Sequence, residues 1–550
     1  MNARFPGVAL ALAFLSLSAC SSSSSSGGPS SDGGTSDGST ASGLDVMTDK
    51  GMVHGSTAKG VRAFLGIPFA GTTGGPNRWK PPQPAAAWTK TLDATKLGPI
   101  CPQLNPSTMS YDPTSDEDCL SVNVWTPDPA PAAPLPVMAW IFGGAFEFGS
   151  GGAAPYGGDH LVPKGIVVVT FNYRVGSLGF LAHRALAAED PSGATGNYGL
   201  LDQRMALQWI QTNIAAFGGD KADVTVFGES AGAKSVCLHL LSPGSQGLFK
   251  RAIVESGFCT VPGLVLADAE TQGDRFAQGM GCSDPSSALS CLRALPATTA
   301  IAGPAGAPAQ VPGGIFYQDD STSFFFQPIV DGQFLTDEPG TLFANKKAAA
   351  VSVLQGANTA EGALFHNGVF GDTPVTSDAD YQAALSRRFG SSAAAVAAQY
   401  PSASFASPND ALTQVTADAF FVCPARTLAR LLEAAGNKTY LYSFNGTLDG
   451  SPVAALAGKA FHSAELPYVF GDPYLLGSVP EAGVPLQSAI EDYWTQFAKT
   501  DDPNGGSEPT WPVYAAATDQ DLRLDQPITT ATGLEKASCD FWDTIPVVAP

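Results

Sequence analysis

Gly228-Glu229-Ser230-Ala231-Gly232 follows the run Asp223-Val224-Thr225-Val226-Phe227. It precedes a helical stretch, Ala233 to Leu241, that Ser242-Pro243-Gly244 closes. The pentapeptide reads G-x-S-x-G, and strand, sharp turn and helix form the setting that a nucleophile elbow requires. A side chain at either glycine would clash in so tight a turn. The turn lifts one hydroxyl above a sheet edge, and the helix N-terminus beneath it favours negative charge. A chance G-x-S-x-G is common in a chain with 60 Gly, so the setting carries the weight rather than the pentapeptide.

The chain has 550 residues, 44% of them hydrophobic and only 14% charged, which indicates a large buried core. Its formal charge of −21 argues against nucleic acid as a partner, because a phosphate backbone would repel it. That charge serves the solubility of an exported protein, or draws in cationic substrates.

Residues 1–20 read as a targeting segment. Arg4 supplies a positive charge, and Val8 to Leu17 is apolar but too short to span a bilayer. Leu17-Ser18-Ala19-Cys20 resembles a bacterial lipobox, in which Cys20 becomes lipid-modified; an ordinary cleaved signal is the alternative. Residues 21–44, nearly all Ser, Gly, Asp and Thr, read as a flexible tether. The expected location is therefore exported, membrane-anchored only through Cys20, or else secreted.

From residue 45 to 550 strand-like and helix-like runs alternate. Expected strands are Gly60 to Phe69, Leu120 to Thr126, Pro136 to Phe142, Ile166 to Asn172, Asp223 to Phe227, Ala252 to Glu255, Ala350 to Gly356 and Thr439 to Phe444. Continuous apolar runs such as Ile166-Val167-Val168-Val169 suit a sheet covered on both faces. Expected helices include Leu201 to Phe217 and Pro424 to Ala435, and Thr260 to Phe324 reads as part of a cap. One large α/β domain follows, with a mostly parallel central sheet between helices.

Nine cysteines less Cys20 leave eight, an even number in an exported chain. Local spacing suggests Cys101–Cys119 and Cys282–Cys291. Cys423 and Cys539 could tie the C-terminal part to a helix, and Cys237 with Cys259 could close a fourth bridge. Spacing does not fix the pairing, since eight cysteines allow about 105 arrangements.

A serine hydroxyl needs a base, and the base needs an orienting carboxylate. In such folds the order is Ser, acid, His. His54, His160 and His183 precede Ser230, and His239 lies on the elbow helix. His462 sits in a loop beyond the strand Thr439 to Phe444, whereas His366 reads as a surface residue on a helix. Glu361 follows a strand and is the favoured acid. Asp331, before Gly332, is the other candidate and reads better as a turn residue. Backbone donors for an oxyanion come from Ala231 and from the loop Ile141-Phe142-Gly143-Gly144-Ala145-Phe146.

With these residues in place the chain resembles the type-B carboxylesterase/lipase family, the α/β-hydrolases that include cholinesterases. The likeness runs from about Phe64 to Trp542. Its blocks are Phe64-Leu65-Gly66-Ile67-Pro68-Phe69-Ala70, Glu117-Asp118-Cys119-Leu120, Asn172-Tyr173-Arg174-Val175-Gly176, Gly196 to Gln203, Phe227 to Gly232 and Trp494 to Lys499. The resemblance implies an α/β-hydrolase fold and two-step acyl transfer, with Ser230 as nucleophile, Glu361 as acid and His462 as base. It implies oxyanion donors at Gly144, Ala145 and Ala231, where the family usually has Gly at the Ala145 place. It matches three bridges, Cys101–Cys119, Cys282–Cys291 and Cys423–Cys539, while Cys237–Cys259 is an inference from this chain alone. Glu117 and Arg174 are expected to form the family's buried ion pair. Glu229 resembles its second carboxylate, and Phe324 its acyl-pocket region.

No cofactor or metal is needed for that chemistry. The Cys101–Cys119 loop is short, polar and free of Trp, which favours small to medium esters over lipid surfaces. Two other readings stay open: a triglyceride lipase, and a tethered binding or adhesion protein with a vestigial site.

Overall fold

The computed structural model describes residues 43–105, 108, 110–304, 324–367 and 374–546. The targeting segment with Cys20, most of the tether, part of the Cys101–Cys119 loop and residues 305–323 of the expected cap lie outside them.

Eleven strands form one sheet among the described residues. Its order is Thr529–Thr532, Gln520–Leu524, Thr439–Phe444, Ser352–Asn358, Arg251–Glu255, Gly219–Glu229, Leu135–Ile141, Val167–Phe171, Ser121–Pro127, Val61–Pro68 and Ser56–Ala58. From Gln520–Leu524 to Val167–Phe171 every neighbour is parallel. The two ends are antiparallel. Strands Val167–Phe171 and Arg251–Glu255 are buried at every position, as a sheet covered on both faces requires. This is the large mixed sheet with flanking helices of an α/β-hydrolase, and each of the eight expected strands is present within a few residues of its anticipated bounds.

The chain passes from Leu135–Ile141 to Val167–Phe171 on one side, then to Gly219–Glu229 on the other. The winding reverses there, and in open α/β sheets ligands bind at such a point, outside the carboxyl ends of the strands. Parallel register aligns Ile141 with Gly228, Glu255 with Glu229, Gly356 with Glu255 and Asn358 with Phe444. Loops leaving these ends therefore converge on one place.

Helix Ala231–Leu241 starts directly after Ser230, and all of its residues are buried. It packs against the sheet strand behind it so closely that both glycines of the pentapeptide are forced. A Cβ on Gly232 would lie 2.0 Å from the Ile141 carbonyl oxygen, and one on Gly228 would lie 2.7 Å from it. Helix Tyr198–Asn213 begins three residues earlier than expected and tightens into a 3₁₀ turn at Ile214–Phe217. Helix Cys423–Ala435 ends at Gly436, which takes φ 91° as a left-handed cap. It continues a π-helical turn, Asp418–Val422, that the sequence pattern does not reveal.

Four disulfides join Cys101–Cys119, Cys237–Cys259, Cys282–Cys291 and Cys423–Cys539. They fit an extracellular or periplasmic setting. No described helix is long and apolar enough to cross a membrane.

The expected Glu117–Arg174 pair does not form. Arg174 leaves strand Val167–Phe171 toward helix Tyr198–Asn213 and grips Asp202 with two nitrogens at 2.7 and 2.8 Å. Glu117 lies on the disulfide loop and is held by Arg78, both contacts at 2.7 Å. Arg78 also donates to the Leu292 and Leu295 carbonyls and so fastens the helix Ala288–Ala294. Each acid pairs with the cation that its own element faces.

The variant Gly232→Ala is expected to lose about 1–3 kcal/mol or more through overpacking. Thermal unfolding should show a lower midpoint, and an unchanged midpoint would refute the close contact.

Candidate active site

Ser230 occupies the turn between strand Gly219–Glu229 and helix Ala231–Leu241 with φ 58° and ψ −123°. Such a conformation in a non-glycine residue costs about 1–3 kcal/mol and persists only where its surroundings over-determine it. Here the Ser230 N–H donates to the Glu255 carbonyl at 3.0 Å, and the Ser230 carbonyl accepts from Lys234 N at 2.9 Å. The residue stays partly exposed while its neighbours are buried.

Glu361 and His462, 101 positions apart, meet at 2.6 Å between Oε2 and Nδ1. Glu361 is fully buried, and its Oε1 accepts the Asn358 N–H at 2.7 Å. The His462 ring is flanked by Phe421 at 4.7 Å and Phe365 at 4.9 Å. Phe421 is supplied by the π-helical turn.

The other ring nitrogen, Nε2, lies 3.1 Å from Glu229 Oε1, next to Ser230 in sequence. That pair is close but off hydrogen-bond alignment, and neither atom has another hydrogen-bond partner in the structure. His462 Nε2 therefore makes no hydrogen bond to Ser230 Oγ. Such contacts often tighten only when substrate binds.

Two glutamates that the sequence reading left without a role complete the cluster. Glu465 accepts from Asn358 Nδ2 and, at 3.3 Å, from Ser256 Oγ. Glu255 accepts from Trp494 Nε1 at 2.8 Å. Asn358 thus holds Glu361 through its backbone and Glu465 through its side chain. The spacing His462-Ser463-Ala464-Glu465 was visible, but nothing in one sequence aims Glu465 back at its own histidine.

Burial dominates the electrostatics. It pushes the Glu229 carboxyl up; the charges of Glu465 and Glu361 push the same way, and His462 opposes them. Burial also disfavours a charged His462, but Glu229 and Glu361 outweigh it and raise the imidazole to about 9. Burial lowers His239 and His366 to about 3.

The loop after strand Leu135–Ile141 lies against the serine. A Cβ on Gly143 would come 3.0 Å from Ser230 Cβ. Gly144 has φ 114°, and Ala145 and Phe146 have φ 56° and 63°. Among the described residues no acceptor bonds the N–H of Gly144, Ala145 or Ala231. Phe324 stands farther out, packed edge-on against Phe276 at 5.7 Å.

The remaining candidates lie elsewhere. Asp331 closes a turn, its Oδ1 accepting from the N–H groups of Gln333, Phe334 and Leu335. His366 is not at the surface on a helix; it follows a 3₁₀ turn, Glu361–Leu364, and is buried with Nε2 2.7 Å from Thr416 Oγ1. The glycine after Glu361 explains the burial, because Gly362 presses on the Thr413 backbone and draws the turn inward.

The sequence profile of the Carboxylesterase family matches residues 42–542. The chain belongs to that family. It is 37% identical over 495 residues to the para-nitrobenzyl esterase of Bacillus subtilis (strain 168), covering 88% of this chain and 95% of that protein. It is 35% identical over 483 residues to the fumonisin B1 esterase of Sphingopyxis macrogoltabida, covering 85% of this chain and 84% of the relative. The protein is a carboxylesterase whose substrates are small-molecule esters.

Because the carboxylesterase fold raises His462, the proton on that ring stabilises the fold below the ordinary value of about 6.5. That contribution is lost as pH rises through about 9. Glu229→Gln removes the leading attraction, so His462 should titrate at lower pH in histidine-selective NMR. A titration that does not move would place the whole effect on Glu361.

Proposed function

We propose that the carboxylesterase works through a Ser230–His462–Glu361 triad on small to medium esters outside the cytoplasm. The buried 2.6 Å contact of His462 Nδ1 with Glu361 Oε2, beside the strained Ser230, is the observation that carries this reading. Three further features support it: the N–H groups of Gly144, Ala145 and Ala231, which meet no acceptor among the described residues, the reversal of the sheet winding beside Ser230, and two relatives named esterases.

In the first step His462 Nε2 takes the Ser230 proton as Oγ bonds to the ester carbonyl carbon. The carbonyl oxygen becomes an oxyanion facing the three N–H groups. Collapse breaks the bond to the alcohol oxygen, which leaves with the proton from His462. Water then attacks the acyl-serine in the same way, giving up a proton to His462, and the acid departs as Ser230 regains its own. Glu361 keeps Nδ1–H in place and offsets the imidazolium charge.

The Ala145 methyl narrows the space beside the oxyanion site and disfavours bulky alcohols. The short disulfide loop is held down by Gln103, which bonds the Gly149 backbone at 2.7 and 2.9 Å, and this favours action without interfacial activation. Export by the N-terminal segment, with lipid on Cys20, accords with the four disulfides and completes the reading.

Ser230→Ala should fold normally and lose turnover and organophosphate labelling together. A variant that keeps its rate overturns the assignment. On p-nitrophenyl esters kcat/KM should peak at short acyl chains; a rate jump when substrate forms micelles would instead indicate a lipase. As neutral imidazole is the base, kcat/KM should rise with pH along a limb placed above the usual histidine range.

A further inference from the structure

The acid Glu147 takes no part in the chemistry above, yet it stands two residues beyond Ala145 on the turn facing Ser230. Its Oε1 accepts the Phe326 N–H at 3.0 Å. Its Oε2 rests against Gly176, where an added Cβ would come within 3.0 Å. Among the described residues no cation pairs with it. Burial raises its carboxyl to about 8, only partly offset by the Phe326 amide. At neutral pH Glu147 is therefore mainly the uncharged acid, and what it offers Phe326 is an acceptor rather than a charge.

The turn needs holding. Ala145 and Phe146 are both left-handed, and two such non-glycine residues in a row are strained. Several ties fix it. Glu147 N and Phe148 N both donate to the Gly144 carbonyl, at 2.9 and 3.1 Å, and Gly176 N donates to the Phe146 carbonyl at 2.6 Å. Gln103 clamps Gly149 from the disulfide loop. Among the described residues, the Glu147 carboxyl is the tie that reaches the segment starting at Phe324. That segment is itself anchored, with Phe326 edge-on to Phe276 at 5.3 Å.

We propose that Glu147 is a positioning residue: its carboxyl locks the turn bearing the Gly144 and Ala145 N–H groups to the anchored segment Phe324–Phe326, so that the oxyanion donors keep one geometry. The inference rests on the oxyanion reading of those N–H groups. The oxyanion is present in the tetrahedral intermediate and develops in the transition states that flank it, not in the bound ester, so loosening its donors lowers kcat and leaves ground-state binding nearly unchanged.

Three variants of the full chain test it: Glu147→Ala, Glu147→Leu, which fills the space without an acceptor, and Glu147→Gln, which copies the neutral acid. Each is measured on p-nitrophenyl acetate and butyrate, with thermal unfolding as the check on folding. Glu147→Leu and Glu147→Ala should lower kcat roughly 10-fold or more with KM within about 2-fold, short of the ~10²–10³-fold loss of a whole oxyanion donor. Affinity for a trifluoromethyl ketone should fall in parallel with kcat. Glu147→Gln should restore most of both. If Glu147→Ala does not fold, the Leu and Gln pair decides. The proposal is overturned by an unchanged kcat in Glu147→Leu, by a rise in KM alone, or by a Gln variant as slow as Leu. Ser230→Ala separates the two levels. If it keeps turnover, the parent reading fails; if it is inert while Glu147→Leu matches the parent protein, only this inference fails.

Discussion

The Ile141 carbonyl oxygen stands where a side chain of Gly232 would be, and this contact sets the position of everything around it. It lets helix Ala231–Leu241 start one residue after the strand ends. That in turn forces Ser230 into a conformation a serine seldom adopts and brings the following N–H groups level with the loop after Ile141. Parallel register does the rest, since the neighbouring strands end at the same height. Glu361 on one loop and His462 on the next are thus brought together beside Glu229 by sheet geometry rather than by local sequence.

Around this centre the protein collects negative charge where burial makes it costly. Glu229, Glu255, Glu361 and Glu465 are all enclosed, and the charges of Glu229, Glu361 and Glu465 act on His462. Hydrogen bonds from Asn358, Ser256 and Trp494 limit that cost. A lone buried carboxylate would take up a proton; several around one imidazole hold its proton instead. The site is best described as one shared set of protons, in which changing any single acid alters the others.

The fold was legible because its signals are local. Runs such as Ile166 to Val169 show strands by composition alone, and the pentapeptide shows the turn. His462 and Glu361, singled out by their order relative to Ser230 and by their place after late strands, meet in the structure. What stayed hidden depends on the direction in which a side chain leaves its element. The family resemblance pairs Arg174 with Glu117, yet each faces a different neighbour, Asp202 and Arg78. His366 looked exposed because its buried contact, Thr416, lies 50 residues away on the helix Pro408–Ala417. Glu465 was in view beside His462 and lacked only the turn that folds it back.

The bridge between Cys423 and Cys539 spans 116 residues, and His462 lies within that span. The π-helical turn that sets Phe421 against the imidazole ends directly at Cys423. During synthesis the elbow with Ser230 emerges long before residue 539 does. The bridge that ties the end of this turn to the C-terminal helix can form only after that residue has emerged and met an oxidising environment. A chain still being made, or one kept reduced, therefore carries its serine elbow without this covalent tie behind Phe421 and His462.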